Sequence, residues 1–137
     1  MNDPKAEPLF RMQKEMQKKL SQINAVDFEK VHYVGGADLT CKDDLFIGCF
    51  VVVDFKDEMK VIYSKCTEMR VDVPYVPGLL CFREGPVVTA LYREFCLAHP
   101  EIKIDVILVD GSGEWHIRGF GLACYVAIEL GRPTIGV

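Results

Sequence analysis

The stretch that most constrains the fold is residues 105–121, which read DVILVDGSGEWHIRGFG. Four apolar residues, Val106 to Val109, lead directly into Asp110, and two glycines around a serine follow. An apolar run of this length predicts a buried strand, and α/β sheets place ligand chemistry where such a strand ends and a helix follows. Asp110 is therefore either a functional acid or a cap for the next helix.

The surrounding sequence predicts a mixed sheet around that strand. Three segments rich in Val, Ile, Tyr and Phe are separated by polar turns, which predicts strands joined by hairpins: 32–39, 45–54 and 59–66. One helix is predicted to begin at Pro86, with Glu84 just before it, and a second to span about 117–130. Residues 134–137 begin another strand. The pattern predicts a single α/β domain over residues 1–137, with helices flanking a mixed sheet.

Three local features carry further predictions. Residues 5–23 predict an amphipathic helix, because five apolar side chains recur at spacings of three and four: Leu9, Met12, Met16, Leu20 and Ile23. The pair Gly35 and Gly36 predicts a bulge or a close backbone approach within the first strand. Tyr75 stands between two prolines on a stiff, exposed loop, where it is either a local packing contact or a platform for stacking on a base.

Composition narrows the class of protein. The six cysteines are scattered singly and form no C-x-x-C pair, which predicts reduced core thiols rather than a zinc or redox site. A net charge of −4 argues mildly against a phosphate-binding surface, although a carboxylate site for divalent cations is itself acidic. With no apolar run long enough for a membrane span and no signal-peptide pattern, we expect a cytoplasmic protein, with the nucleus or nucleolus as alternatives.

Three acids stand in unusual positions: Asp38, Glu84 and Asp110. Asp38 interrupts an apolar strand, and it would meet Asp110 if the first and fourth strands are neighbours. Clustered carboxylates repel one another unless a cation neutralises them, and hard oxygen ligands select Mg²⁺ or Mn²⁺. The alternative is a pair of helix caps and an ordinary strand acid. His116 follows on the same segment and is either structural or positioned to orient a water or a phosphate.

Four segments in this order resemble the endonuclease V family, the inosine-directed nucleases with a ribonuclease H-like core: 36–38 (GAD), 74–84 (PYVPGLLCFRE), 109–123 (VDGSGEWHIRGFGLA) and 133–137 (PTIGV). The resemblance covers nearly the whole chain. It implies a ribonuclease H-like mixed sheet and a Mg²⁺- or Mn²⁺-dependent endonuclease. The expected reaction cuts the second phosphodiester bond 3′ to inosine or deoxyinosine in RNA or DNA, and the expected role is DNA repair.

The resemblance also implies roles for individual residues. Asp38, Glu84 and Asp110 match the family's catalytic metal-binding acids, and His116 matches a histidine near the scissile phosphate. Tyr75 matches a wedge tyrosine beside the displaced base. The predicted hypoxanthine pocket comprises six further residues: Gly78, Leu80, Gly111, Gly113, Gly121 and Gly136. Bare glycine backbone allows a base to approach closely enough for main-chain hydrogen bonds.

The resemblance departs from the family pattern at the carboxyl end. The family continues from this last strand into an Ala-Lys pair whose lysine belongs to the active site, and that lysine would fall two positions after Val137. Later strands and a last helix are expected there as well. The alternative function is therefore a shortened, non-catalytic form that binds inosine-containing nucleic acid or a partner chain, with self-association through the uncovered sheet. A third hypothesis, a nucleotide-binding metabolic domain, is weak because a lone Gly-x-Gly lacks the remaining fingerprint residues.

Overall fold

A computed structural model describes residues 4–20 and 26–137 of the chain. The helices are α1 (Ala6–Lys18), α2 (Cys81–Ala98) and α3 (Leu122–Leu130), with a single 3₁₀ turn at Phe28–Lys30. The strands are β1 (Tyr33–Lys42), β2 (Leu45–Asp54), β3 (Lys60–Arg70), β4 (Val106–Val109) and β5 (Thr134–Gly136). Among the helices in the described part of the chain, none combines the length and apolar character that crossing a bilayer requires.

The five strands form one mixed sheet in the order β3-β2-β1-β4-β5. The first three strands are antiparallel neighbours, whereas β4 runs parallel to β1 and β5 runs parallel to β4. Parallel pairs need a crossover, and α2 and α3 supply it. The predicted mixed α/β sheet with flanking helices is therefore confirmed.

The main core lies between one face of the sheet and the helices. Alternate residues of β2 point into it, including the fully buried Phe46, Phe50 and Val52. From α2, Leu91 and Phe95 are buried against the same cluster. Fully burying an apolar side chain of this size contributes about 1.5–3 kcal/mol, so this layer holds α2 firmly against the strands.

Both core helices begin at positions that differ from the prediction. Helix α2 starts at Cys81, so Glu84 lies in its first turn and Pro86 lies inside it. Pro86 removes one backbone hydrogen bond without breaking the helix, so it lies in the interior of α2 and not at the predicted first position. Helix α3 starts at Leu122 rather than 117, because the preceding residues form a loop whose backbone turns at Gly119, with φ of +65°.

Helix α1 is amphipathic, and three residues of the predicted stripe, Leu9, Met16 and Leu20, pack on the core. Met12 does not: it is 50% exposed, whereas Gln13 beside it is only 2% exposed. Apolar spacing identified the helix and most of its inner face but not Gln13, because a buried glutamine with specific partners carries no hydropathy signal. The helix ends at Lys18, and Ile23 of the predicted stripe lies outside the described residues.

Of the two alternatives predicted for Gly35 and Gly36, a bulge or a close backbone approach, the structure shows the second. The β1–β2 register is unbroken across Gly35 and Gly36, and the irregularity lies instead between Val52 and Val53 in the β2–β3 pairing. Gly35 does mark a close approach, since a Cβ there would lie 2.8 Å from the Phe50 ring.

The cysteine prediction is wrong for three of the six residues. Cys49 and Cys66 face each other across β2 and β3 and form a disulfide. Cys41 is exposed, whereas Cys81 and Cys124 are buried thiols as predicted. Strand pairing brought the two bonded cysteines together, and their spacing along the chain gave no sign of it.

Candidate functional site

Two of the three predicted acids lie side by side because of strand register. Ala37 on β1 pairs with Val109 on β4, so Asp38 and Asp110 are the next residues along two parallel neighbours. The backbone N–H of Asp110 donates to the Ala37 carbonyl at 3.3 Å, which extends the pairing to the acid itself. Asp38 accepts a hydrogen bond from the Leu39 N–H at 2.7 Å. Both carboxylates are exposed at the carboxyl edge of the sheet.

The third acid, Glu84, lies close enough to interact electrostatically with the other two. It is half-buried in the first turn of α2. Burial raises the pKa of the Glu84 carboxyl above its usual value, and the negative charges of Asp110 and Asp38 raise it further, while Arg83 opposes them. Repulsion of this kind requires proximity, so helix and strands bring the three acids into one neighbourhood.

The donor set fits a hard divalent cation in chemistry. Three carboxylates with a raised pKa among them are the oxygen ligands that Mg²⁺ or Mn²⁺ prefers. Within residues 4–20 and 26–137, however, no three His, Cys, Asp or Glu side chains converge on a single point as a ready metal site. Asp38, Glu84 and Asp110 would hold the ion once their side chains turned toward one another.

A glycine beside Glu84 packs against the neighbouring helix α3. Gly85 faces the ring of Tyr125 on α3, and a Cβ at position 85 would lie 2.2 Å from that ring. The absence of a side chain lets α2 and α3 approach closely at this point. Tyr125 also meets the edge of Phe82 with ring centroids 5.7 Å apart, so an aromatic contact secures the first turn of α2.

The glycines of residues 111–121 pack backbone against backbone. The Gly121 N–H donates to the Gly113 carbonyl at 3.1 Å. A Cβ on Gly121 would lie 2.1 Å from the Ser112 carbonyl oxygen, and one on Gly136 would lie 2.2 Å from the Gly111 carbonyl oxygen. Four of the predicted pocket residues are thus brought together, and at two of them any side chain would collide with main chain.

A cavity of about 650 Å³ opens beside this loop, between α3 and β5. Two predicted pocket glycines line it, Gly113 and Gly136, together with the loop residue Trp115. Gly78 and Leu80 lie on the separate loop before α2 and do not line this cavity. None of the three acids lines it either.

The loop before α2 presents Tyr75 to solvent, as predicted. The side chain is 66% exposed. The guanidinium carbon of Arg83 lies 5.8 Å from the Tyr75 ring centroid and 5.2 Å from that of Phe46. Arg83 is only 9% exposed, and its Nη2 donates to the Asp43 carbonyl. Arg83 therefore supports the tyrosine from the protein side.

Sequence reasoning missed Arg83 as part of the site. Its Nε is buried without a hydrogen-bond partner among the described residues. The available signal was an arginine next to an acid in the otherwise apolar segment 79–91.

His116 lies on the loop after Asp110 and is partly buried. Its Nδ1 accepts a hydrogen bond from the Arg118 N–H at 3.1 Å. Burial lowers the pKa of the His116 imidazole, and the Arg118 charge lowers it further. The ring is thus kept neutral near pH 7, and because Nδ1 is an acceptor, Nε2 carries the proton.

Gln13 is the second residue that sequence reasoning missed. Its Nε2 donates to the Gly78 carbonyl and to the Phe120 carbonyl, both at 2.9 Å. It thereby joins α1 to both loops that carry predicted site residues. A polar residue inside an apolar helical stripe was the only sequence signal.

The sheet order and its acidic edge define the class: a mixed α/β fold with carboxylates clustered where β4 ends beside β1. The family model for endonuclease V matches residues 14–137. Endonuclease V of Ignicoccus hospitalis is 36% identical over 132 residues, which cover 93% of this chain and 59% of that protein. Human endonuclease V is 36% identical over 113 residues, covering 80% of this chain and 40% of that protein.

Solved structures agree. The catalytic domain of human endonuclease V superposes with a TM-score of 0.91 at 26% identity, covering 99% of this chain and 58% of that one. Endonuclease V of Ciona intestinalis, in complex with a DNA containing an inosine followed by a ribo-adenosine, gives a TM-score of 0.87 at 29% identity, covering 98% of this chain and 57% of that one. The chain belongs to the endonuclease V family. It spans about half the length of the curated relatives it matches.

Proposed function

We propose that the chain carries the metal-binding and inosine-recognition elements of a Mg²⁺- or Mn²⁺-dependent endonuclease. The proposed reaction cleaves the second phosphodiester bond 3′ to inosine in single-stranded RNA or DNA. The proposal rests on two acids on neighbouring parallel strands. Asp38, within β1, and Asp110, directly after β4, each follow a residue of the last β1–β4 pair, and the pKa of Glu84 responds to both.

The three acids would hold the ion, which supplies a polarised phosphate oxygen and an acidified water when bound. The raised pKa of Glu84 means that a proton competes with the cation for this carboxylate. Metal affinity should therefore increase as the pH rises through the Glu84 titration. His116, with its proton on Nε2, would donate a hydrogen bond to a phosphate oxygen.

Recognition would use the two loops. The exposed Tyr75 ring, supported by Arg83, offers one face for stacking beside a displaced base. Backbone N–H groups of the glycine loop would hydrogen-bond the edge of hypoxanthine, which carries a carbonyl where adenine carries an amine. In Ciona endonuclease V the bound DNA contains inosine, which supports this choice of ligand.

The test is a cleavage assay of the 137-residue chain on single-stranded RNA and DNA oligonucleotides that carry one inosine, with Mn²⁺. Matched oligonucleotides with adenosine in place of inosine control for specificity, and Asp110→Asn controls for contaminating nuclease. We expect a single cut at the second bond 3′ to inosine, absent in the variant and on adenosine. Cleavage that persists in Asp110→Asn would contradict the proposal.

The second candidate is a binding protein that does not cut. Its ligand would be inosine-containing nucleic acid or a partner chain. It is favoured by one observation: Tyr75 and the glycine loop are held by their own contacts with α1 and Arg83, none of which involves the three acids. Inosine-dependent binding in EDTA, with no cut product in Mn²⁺, would select this candidate. The self-association expected from the sequence stays a prediction, which analytical ultracentrifugation would test.

A further inference from the structure

We propose that Gln13 is a positioning residue that fixes the two recognition loops relative to each other, so that inosine discrimination depends on a side chain of α1. The inference rests on the proposed recognition of inosine. It concerns a residue one position outside the range that the family model matches.

The geometry is specific to an amide side chain. A primary amide nitrogen has two N–H groups, and Gln13 directs Nε2 at two carbonyl oxygens, those of Gly78 and Phe120, each at 2.9 Å. The side chain is 2% exposed, so water cannot readily replace these donors. Removing them would leave one buried and one partly buried carbonyl without this donor, which is costly and is relieved by moving the loops.

The two carbonyls belong to different loops with different proposed tasks. Gly78 lies three residues after Tyr75 at a turn with φ of +84°. Phe120 is fully buried and directly precedes Gly121, which packs on the Ser112 carbonyl. A shift of either carbonyl therefore displaces the tyrosine or the glycine backbone.

A second contact from the same helix supports the role. The Arg118 guanidinium carbon lies 3.9 Å from the centroid of the Phe10 ring. The Nε of Arg118 lies 3.3 Å from where a Cβ would stand on Gly78. Helix α1 thus contacts both loops through Gln13, and the loops contact each other through Arg118.

The test compares Gln13→Met with Gln17→Met. Methionine matches the length of glutamine but has no donor, so Gln13→Met removes both hydrogen bonds while filling the space. Gln17 lies one turn further along α1, is exposed, and makes only a 3.5 Å contact with the Gly119 carbonyl. It therefore controls for the same substitution on the same helix.

Hydrogen exchange of the free protein is the first measurement. We expect amide exchange at residues 78–80 and at 120–121 to accelerate together, at least tenfold, in Gln13→Met. Exchange in the core of α2 and throughout Gln17→Met should match the parent chain. Acceleration of one loop alone, or of neither, overturns the coupling.

Nucleic-acid binding is the second measurement. It is monitored by the fluorescence of Trp115, the single tryptophan, which is 100% exposed on the loop that Gln13 contacts. For Gln13→Met we expect the ratio of affinities for inosine and adenosine oligonucleotides to fall at least fivefold, while Mn²⁺ affinity stays unchanged. A merely structural role would lower the unfolding temperature and leave this ratio intact, and that result overturns the inference.

The two measurements separate failure of the inference from failure of the proposed function. If the parent chain shows no inosine preference, the proposed recognition of inosine is wrong. The proposed effect of Gln13 on inosine discrimination is then wrong too, whatever the hydrogen-exchange result for the loops. If the parent prefers inosine and Gln13→Met keeps the full preference, only the Gln13 proposal is wrong.

Discussion

The acidic edge and the recognition loops of this protein are built in opposite ways. Strand register brings Asp38 beside Asp110, and the first turn of a well-packed helix adds Glu84. The loops of residues 71–80 and 111–121 are instead held by single long-range contacts, above all those of Gln13. The edge should therefore tolerate changes in side chains outside it, whereas the loops should respond to a change at one distant residue.

Asp110→Asn should affect the acidic edge and leave the recognition loops unchanged. Removing one carboxylate from three should weaken Mn²⁺ binding at least about a hundredfold, since even supporting residues of metal sites cost 10- to 100-fold. The loops do not depend on this charge, so inosine binding in EDTA should persist. Isothermal titration with Mn²⁺ checks the first point, and Asp57→Asn in the β2–β3 hairpin is the control. Equal Mn²⁺ affinity in Asp110→Asn and Asp57→Asn would exclude the acids as metal ligands.

The converse change is Gly121→Ala. A methyl group would meet the Ser112 carbonyl oxygen at 2.1 Å, so the glycine loop must shift. We expect a loss of about 1–3 kcal/mol in the free energy of unfolding, as overpacking usually costs, together with loss of inosine preference and retention of Mn²⁺ binding. Urea unfolding and fluorescence titration measure these. Gly36→Ala, where a Cβ meets nothing within 4 Å, is the matched control.

Tyr75→Ala sharpens the contribution of the second loop. Loss of stacking should weaken nucleic-acid binding by about 1–3 kcal/mol, whereas Tyr75→Phe should retain most of the affinity. Because the ring is largely exposed, unfolding should change little in either variant. Fluorescence titration on inosine RNA decides the matter, and an alanine variant that binds as the parent does would reduce Tyr75 to a packing contact.

The smallest expected effect concerns Glu84 and pH. The pKa of Glu84 is raised in the folded chain, so folding favours its protonated form. The resulting contribution to the free energy of unfolding is complete below the pKa of the unfolded state and is lost as pH rises through the pKa of the folded state. Without metal at neutral pH, Glu84→Gln should therefore raise the unfolding free energy, by roughly 0.5 kcal/mol given partial exposure. The gain should vanish at acidic pH and be absent in Glu68→Gln on β3. Thermal unfolding across pH tests it, and a loss of stability in Glu84→Gln would contradict a raised pKa of Glu84.

The acidic edge was largely predictable from sequence because apolar strands are recognised by their residue pattern. The apolar run before Asp110 predicted a buried strand, and Asp38 stood out as an acid inside another apolar strand. The sequence predicted that the two acids meet only if these strands are neighbours, and the structure shows that they are. Glu84 was found by its residue type but placed outside its helix, because Pro86 suggested a later start. The error was one of boundary, which local sequence defines poorly.

What could not be predicted depends on contacts between residues far apart in the chain. Gln13 meets partners 65 and 107 residues away, and Cys49 meets Cys66 only because β2 and β3 pair in one particular register. Hydropathy predicted Met12 and not Gln13 on the buried face, because a hydropathy scale describes apolar character and not hydrogen bonding. The helix predicted at about 117–130 included the last residues of the loop, which turn at Gly119 before α3 begins at Leu122.

The contact between Gly85 and Tyr125 bears on how this protein can diverge. A residue larger than glycine at position 85 would need the tyrosine ring to be absent first, since the two cannot occupy the same space. Position 125 must therefore shrink before position 85 can grow, and the reverse order passes through a destabilised intermediate. The recognition loops carry no such ordering constraint at Tyr75, whose ring is mostly in solvent. Variants that change ligand preference are thus expected to arise in the loops while the acid beside Gly85 stays in place.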